Sequence, residues 1–345
     1  MKFADIIRGK KEFTVGFLGG SITEGACASH PSKRYASRVV AMLNEAYPET
    51  KFTEANASVS GTGSNLGLFR AEHDLLSQKP DMVFIEFSVN DSAAFTAKYH
   101  EALIHFLRKY RADLPIVFLY TMAKYRFEEY AAGLLPTCAK EEEEVARYYG
   151  IPSVSVAGAM AKDMGSIERF GEYMWDMVHP IDKGYAVYAQ AIMEALETAE
   201  FTFPAPMPAP LQPLVTEAPR MITVEDGLAF EGWRVSKATM CGRLPCYLYA
   251  SAPGTSLHYE FDGKVIGLYL TKEKDSGRFA FSIDGGEWQE RSTFDEYCPR
   301  FSRANYSILA DDLAEGHHTL DLRILPDSDP DSEGTFIRFG AMLLG

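Results

Sequence analysis

The sequence reads FTVGFLGGSITEG at residues 13–25, where an apolar run ends in two glycines, a serine and a threonine. An apolar run of this length predicts a strand buried in a sheet, and glycine allows the chain to turn sharply at its end. Ser21 would then stand at the start of a helix, where a backbone N–H favours negative charge. Helix capping by the hydroxyl of Ser21 or Thr23 is the alternative role.

The same alternation of apolar runs and helical patterns continues to residue 200. Strands are predicted at residues 13–18, 52–58, 81–88, 115–121 and 152–156. Helices are predicted at residues 35–47, 66–78, 99–112, 138–150 and 183–200. Continuous apolar strands alternating with helices predict a parallel sheet covered on both faces, which is an α/β three-layer sandwich.

Prolines divide this region from the rest of the chain. They crowd the segment 203–219, and a chain so rich in proline forms neither helix nor central strand. From residue 222 onward apolar and polar residues alternate with period two, interrupted by Asp-Gly turns. We therefore predict an α/β domain at 1–202, a linker at 203–221, and an all-β sandwich or jelly-roll domain at 222–345.

The composition restricts the partners and the compartment. The formal net charge is −14, which disfavours nucleic acid and anionic membrane surfaces as partners. The five cysteines are scattered, and Cys241 and Cys246 lack metal-site spacing, so we expect free thiols. Since the N-terminal residues also lack a signal-peptide pattern, we expect a cytoplasmic protein.

Chemically active residues follow several of the predicted strands. Ser21 follows the first strand, Gly61 the second and Asn90 the third, while Asp176 and His179 precede the last helix. The carboxyl ends of parallel strands meet at one edge of a sheet. We therefore expect these five residues to share one rim.

Together these residue types suit acyl transfer. His179 can take the proton of the Ser21 hydroxyl, and Asp176 can orient the imidazole and stabilise its charged form. An oxyanion would be met by the backbone N–H groups of Ser21 and Gly61 and by the side-chain amide of Asn90.

Four blocks in this order, GGSIT, SVSGTG, SVND and DMVHP, resemble those of the SGNH/GDSL hydrolase family. Over about residues 10–200 the resemblance implies a flavodoxin-like fold and a serine ester hydrolase that needs no metal or organic cofactor. Two positions depart from the family pattern: Gly20 replaces the usual aspartate, and Ser88 replaces a usual glycine. Neither departure removes a catalytic atom, so they bear on substrate class.

The resemblance extends to two-domain carbohydrate acetylesterases, because the C-terminal half is similar to the jelly rolls of such enzymes. It implies removal of O-acetyl groups from hemicellulose-type oligosaccharides, derived from mannan or xylan. We expect the β domain to help hold the sugar. The candidate substrate contacts are Trp175, Tyr120, Tyr125 and Arg70 in the first domain and Trp233, Trp288 and Tyr269 in the second.

Several alternatives remain open at this level. The same scaffold serves lipid and acyl-thioester hydrolases, and it could be retained as a non-catalytic glycan-binding protein. A homodimer is compatible with a two-domain form, although nothing in the sequence demands one. We interpret the acidic segment 327–333 as a solvated turn in preference to a Ca²⁺ site. We interpret His100 as structural and KEEEEVAR (140–147) as the solvated face of a helix.

Overall fold

The computed structural model describes residues 1–92, 96–240 and 242–345. The chain forms two compact units, Met1–Leu214 and Val215–Gly345. This division falls inside the predicted linker, and the first strand of the second unit already begins at Arg220. Cys241 lies outside the described residues, whereas Cys246 is a free cysteine. Over the described ranges, no helix has the length and apolar character needed to cross a membrane.

The first unit is built on a five-stranded parallel sheet with the order β2-β1-β3-β4-β5. Its strands are β1 (Glu12–Gly19), β2 (Lys51–Asn56), β3 (Met82–Glu86), β4 (Ile116–Leu119) and β5 (Ser153–Val154). This is the flavodoxin-like strand order, in which ligands bind at the carboxyl ends of the strands near the switch between β1 and β3. The predicted parallel sheet is confirmed.

Nine α-helices are described in this unit. They are α1 (Phe3–Ile7), α2 (Ser21–Glu24), α3 (Tyr35–Ala46), α4 (Ser64–Arg70), α5 (Thr96–Tyr110), α6 (Phe127–Ala131), α7 (Thr137–Tyr148), α8 (Val156–Met164) and α9 (Asp182–Thr198). Of these, α1, α6 and α8 are too short to show a helical period in the sequence. The helical pattern predicted at 66–78 is not one regular helix, because α4 passes at Ala71 into a π-helical turn.

The second unit is entirely β-structure. Its strands are β6 (Arg220–Thr223), β7 (Arg234–Ser236), β8 (Tyr247–Ala250), β9 (Ser256–Asp262), β10 (Ile266–Lys272), β11 (Arg278–Ile283), β12 (Gln289–Ser292), β13 (Arg303–Ala310), β14 (His317–Ile324) and β15 (Ile337–Leu344). They form a six-stranded sheet around β10 and β15 and a four-stranded sheet of order β12-β11-β14-β9. Their pairings are antiparallel, which confirms the predicted all-β domain.

Both β-sheets contribute to a single hydrophobic core. Leu268 and Phe339 enter it from the larger sheet, and Phe281 and Leu322 from the smaller one. The sugar contacts predicted for Trp233 and Tyr269 are wrong, because both side chains are buried. Trp233 is buried in the core and its indole N–H donates to the carbonyl of Ser256, while the Tyr269 side chain is 1% exposed.

Candidate active site

The serine loop follows β1, and its first glycine, Gly19, is packed too tightly to carry a side chain. A Cβ added to Gly19 would lie 2.3 Å from the hydroxyl oxygen of Thr23 and 2.8 Å from the carbonyl oxygen of Glu86. Gly20 then takes an extended conformation and α2 begins at Ser21, so the Ser21 N–H is among the first of the helix and has no partner within it. This packing explains why the sequence has glycine at position 19.

A serine, a histidine and a carboxylate form one chain of hydrogen bonds. The Ser21 Oγ lies 2.8 Å from the His179 Nε2, and the His179 Nδ1 lies 2.7 Å from the Asp176 Oδ2. Ser21 and His179 are 158 residues apart in the sequence. Because a carboxylate can only accept, Nδ1 carries the ring proton and Nε2 is free to accept the proton of the Ser21 hydroxyl.

A tight turn holds the Asp176–His179 pair. The Trp175 N–H donates to the carbonyl of His179 over 2.8 Å, and the backbone N–H groups of Val178 and His179 donate to the Asp176 Oδ1. Partial burial acts to raise the pKa of Asp176, but its hydrogen bonds from the His179 ring and from these two N–H groups outweigh burial and lower it. The carboxylate form, which orients the imidazole, is therefore favoured.

The loop that contains Gly61 is held on both sides. The N–H of Ser60 donates to the Glu24 Oε2 over 2.8 Å, and the N–H of Ser64 donates to the Asp91 Oδ1 over 2.8 Å. Gly61 has φ +73°, in the left-handed region that glycine tolerates best. These contacts connect the Gly61 loop to α2 on one side and to the end of β3 on the other.

The third predicted oxyanion donor approaches from β3. The Asn90 side chain packs against Gly20, and so does the carbonyl of Thr62, the residue after Gly61. Ser21 directly follows Gly20, so the loops that carry Asn90 and Gly61 both lie beside the nucleophile position. Backbone and side-chain amides in such an arrangement can stabilise an oxyanion as it forms.

A buried carboxylate below the serine loop was not predicted. Glu86 is 0% exposed, and its carboxylate accepts hydrogen bonds from the hydroxyls of Thr23 and Thr121 over 2.8 and 2.7 Å. Burial raises the pKa of Glu86, and the two threonines act in the opposite direction. Glu86, the one charged residue within the apolar run MVFIEF, was the signal in the sequence, because a glutamate is rarely fully buried unless it is paired.

Two predicted substrate contacts are contradicted by burial. Arg70 is 0% exposed, and its guanidinium donates to the carbonyl of Gly19 over 3.0 Å and to that of Ala57. It therefore supports the segments that follow β1 and β2. Tyr120 is 1% exposed and its hydroxyl donates to Glu143, so it belongs to the core.

Other candidate contacts lie at the surface. Trp175 is 74% exposed and Tyr125 is 66% exposed, and the backbone of Lys124 bonds that of Met177, which brings the two segments together. Next to them is a cavity of about 330 Å³. Its lining is mixed: polar side chains come from Ser88, Ser92, Thr121, Arg126 and Thr137, and apolar ones from Val89, Ala123, Pro136 and Ala139. The unusual Ser88 accepts a hydrogen bond from the Thr121 N–H at its wall.

Comparison with solved structures gives two matches over nearly the whole chain. Both are of a two-domain esterase (CEX) active on acetylated mannans, one of them co-crystallised with mannopentaose. Each is 23% identical with a TM-score of 0.85 and covers 99% of this chain, and the matches cover 92% and 93% of the esterase chain. At this identity the likeness shows a shared two-domain fold. No curated protein sequence matches significantly.

The sequence model of the GDSL-like lipase/acylhydrolase family matches residues 17–187. This range contains the serine loop, the Gly61 and Asn90 loops and the turn that holds Asp176 and His179. Residues 17–187 therefore form a domain of the GDSL-like lipase/acylhydrolase family, and the protein is accordingly a carboxylic ester hydrolase.

Proposed function

We propose that the protein removes O-acetyl groups from hemicellulose-type oligosaccharides, derived from mannan or xylan, through an acyl-enzyme on Ser21. One observation carries the catalytic part of this proposal. The His179 ring bonds the Ser21 hydroxyl through one nitrogen and the Asp176 carboxylate through the other. This arrangement suits activation of a serine nucleophile.

In the first half of the reaction the Ser21 Oγ attacks the acetyl carbonyl and its proton passes to the His179 Nε2. Asp176 stabilises the imidazolium that forms. The negative charge on the carbonyl oxygen meets the N–H groups of Ser21 and Gly61 and the Asn90 amide. The imidazolium then protonates the sugar hydroxyl, which leaves, and acetyl-Ser21 remains.

In the second half a water molecule replaces the sugar. His179 takes a proton from this water as it attacks the acetyl-enzyme, and the same donors stabilise the second oxyanion. Collapse of the intermediate returns the proton from His179 to the Ser21 Oγ and releases acetate. The proton transfers in both halves run through His179, which is already in hydrogen-bond contact with Ser21 and Asp176.

The choice of a carbohydrate ester rests on the surroundings of the site. Trp175 and Tyr125 expose aromatic rings near the catalytic turn, and such rings are suited to packing against a sugar ring. The neighbouring cavity presents hydroxyl groups, those of Ser88, Ser92 and Thr121 among them, that suit a hydroxyl-bearing substrate. The esterase with the same two-domain fold is active on acetylated mannans, which supports acetylated mannan-type substrates first.

The direct test is acetate release from acetylated manno- and xylo-oligosaccharides by wild type and Ser21→Ala. We expect the variant to lose roughly 10³-fold or more in kcat. Ser77→Ala is the matched control, since Ser77 is exposed and its hydroxyl bonds only the carbonyl of His73 among the described residues. Equal acetate release by wild type and Ser21→Ala would overturn the proposal.

The alternatives give different outcomes in the same assay format. A lipid or acyl-thioester hydrolase would prefer medium or long acyl chains in a p-nitrophenyl ester series, whereas we expect acetyl to be preferred. A non-catalytic glycan-binding protein would not react at Ser21 with a fluorophosphonate probe. We expect labelling of wild type and Ser77→Ala and no labelling of Ser21→Ala.

A further inference from the structure

Three side chains that can bind a metal ion are buried together beneath the Asn90 loop. They are Asp91, His100 of α5 and Glu142 of α7, and their side chains are 0%, 0% and 1% exposed. One donor atom of each lies within 4.8 Å of the others. Nothing in the sequence points to this cluster, since His100 is predicted to be structural and the segment around Glu142 to be solvated. The burial of Glu142 contradicts the second interpretation.

Each of these side chains has an atom that its neighbours leave unsatisfied. Among the described residues, the Asp91 Oδ2, the His100 Nε2 and the Glu142 Oε1 are buried without a hydrogen-bond partner. A buried polar atom without a partner is costly, and native proteins contain few of them. The Asp91 Oδ2 lies 3.5 Å from the His100 Nδ1, and the His100 Nε2 lies 3.8 Å from the Glu142 Oε1. Three such atoms in one buried cluster suggest a ligand that bonds all three.

The histidine is already oriented as a metal ligand would be. Its Nδ1 lies 2.9 Å from the carbonyl oxygen of Thr96, and because a carbonyl can only accept, this nitrogen carries the proton. The Nε2 therefore presents a lone pair, 3.8 Å from the Glu142 Oε1. Edge contacts with Phe87 and Phe118 hold the ring on both sides. Metal-binding histidines are commonly positioned by such a bond from the second nitrogen.

Charge balance also favours a cation. Two carboxylates in a site without solvent repel each other, and each loses a large hydration energy. One divalent ion neutralises both and bonds the imidazole at the same time. First-row ions bond nitrogen and oxygen at about 2.0–2.2 Å, so two donors on one ion lie at most about 4.3 Å apart. The 3.8 Å separation of Nε2 and Oε1 satisfies this limit.

We propose that Asp91, His100 and Glu142 form a structural binding site for a divalent first-row metal ion, Zn²⁺ or Mn²⁺, in the α/β unit. One imidazole and two carboxylates form a donor set that suits both ions.

The ion would connect to the catalytic loops through Asp91. The other oxygen of this carboxylate accepts the Ser64 N–H that holds the Gly61 loop, and the preceding residue is Asn90. The ion would therefore stabilise the loops that carry two of the oxyanion donors, without touching the substrate. Metal release would lower the melting temperature and the kcat together.

The test is the metal content of tag-free protein purified without added chelator. The protein is analysed by elemental mass spectrometry, stripped with dipicolinate, and reloaded separately with Zn²⁺ and Mn²⁺ before gel filtration. We expect about one equivalent of one ion per chain after reloading, with a melting temperature higher than that of the stripped protein. Less than about a tenth of an equivalent with both ions would overturn the proposal.

Variants locate the ion. Glu142→Gln and His100→Gln should each lose the bound metal, whereas Glu144→Gln on α7 and His105→Gln on α5 should keep it. Glu144 is exposed, and His105 bonds the Tyr149 hydroxyl away from the cluster. Equal metal content in all four variants would place the ion elsewhere and overturn the assignment. Fluorophosphonate labelling of Ser21 reports separately on the active site, so the failure of either proposal can be recognised.

Discussion

The side-chain oxygen of Asn90 lies 2.3 Å from the point at which a Cβ atom would stand on Gly20. Gly20, which precedes the proposed nucleophile Ser21, is therefore matched to Asn90, the proposed oxyanion donor, and no larger residue fits at position 20 unless Asn90 moves. This contact gives a physical meaning to the departure at position 20 from the aspartate usual in the family.

Gly20→Ala tests this contact. The added methyl group must displace Asn90, so we expect kcat to fall by about 10- to 100-fold with little change in KM, because the loss concerns an oxyanion donor. Steady-state kinetics on p-nitrophenyl acetate measure both constants. Gly171→Ala is the control, since nothing lies within 4 Å of the added atom there. A variant with wild-type kcat would show that Asn90 is not needed in its present position.

Arg70 should matter for stability more than for substrate binding. Arg70→Met leaves the carbonyl oxygens of Gly19 and Ala57 and the buried Asp74 carboxylate without this donor. We expect the free energy of unfolding to fall by about 3–5 kcal/mol. Urea denaturation measures the change. Arg169→Met, which removes an exposed pair with Glu172, should lower the free energy of unfolding much less, because solvent screens exposed ion pairs. Similar losses in the two variants would argue against the supporting role.

The burial of Glu86 leads us to predict that the stability of the protein depends on pH. Burial raises the pKa of Glu86 in the folded protein, so the unfolded chain loses this proton first as pH rises. The free energy of unfolding of wild type, taken relative to that of Glu86→Gln, should therefore be highest at pH values below the ordinary carboxyl pKa. It should fall with rising pH until the folded pKa is passed. Urea titrations of both proteins from about pH 4 to pH 8 give the difference. Parallel stability curves would contradict the prediction.

The exposed ring of Trp175 should contribute to sugar binding only. Trp175→Ala should raise KM for acetylated oligosaccharides by about 3- to 10-fold, since aromatic packing contributes roughly 0.5–1.5 kcal/mol. The kcat/KM for p-nitrophenyl acetate, which has no sugar, should stay near that of wild type. Tyr110→Ala, at another exposed aromatic residue, serves as the control. An equal loss on both substrates would show instead that the Asp176–His179 turn had been disturbed.

The sequence was informative where chemistry requires particular residue types at the ends of strands. Ser21, Asp176 and His179 were recognisable because an activated nucleophile needs all three, and the alternation of strands and helices brings their segments to one edge of the sheet. The parallel sheet and the all-β unit followed from hydrophobic periodicity, which reflects burial directly.

The sequence was misleading where only packing decides the environment of a side chain. Arg70 and Tyr120 were polar residues near the motifs, and nothing local indicated that both are buried. Glu142 lies in a run of four glutamates, which looks solvated, although one face of α7 packs inward. Such burial depends on neighbours distant in sequence, and periodicity within a single helix conveys it only weakly.

The hydrogen bond between Ser21 and His179 joins the first strand–helix turn to the segment that precedes the last helix. A ribosome therefore makes the proposed nucleophile early and its proposed proton acceptor late, and no fragment that ends before His179 can hydrolyse an ester by the proposed route. Esterase activity measured during synthesis would consequently report when the α/β unit has completed its fold.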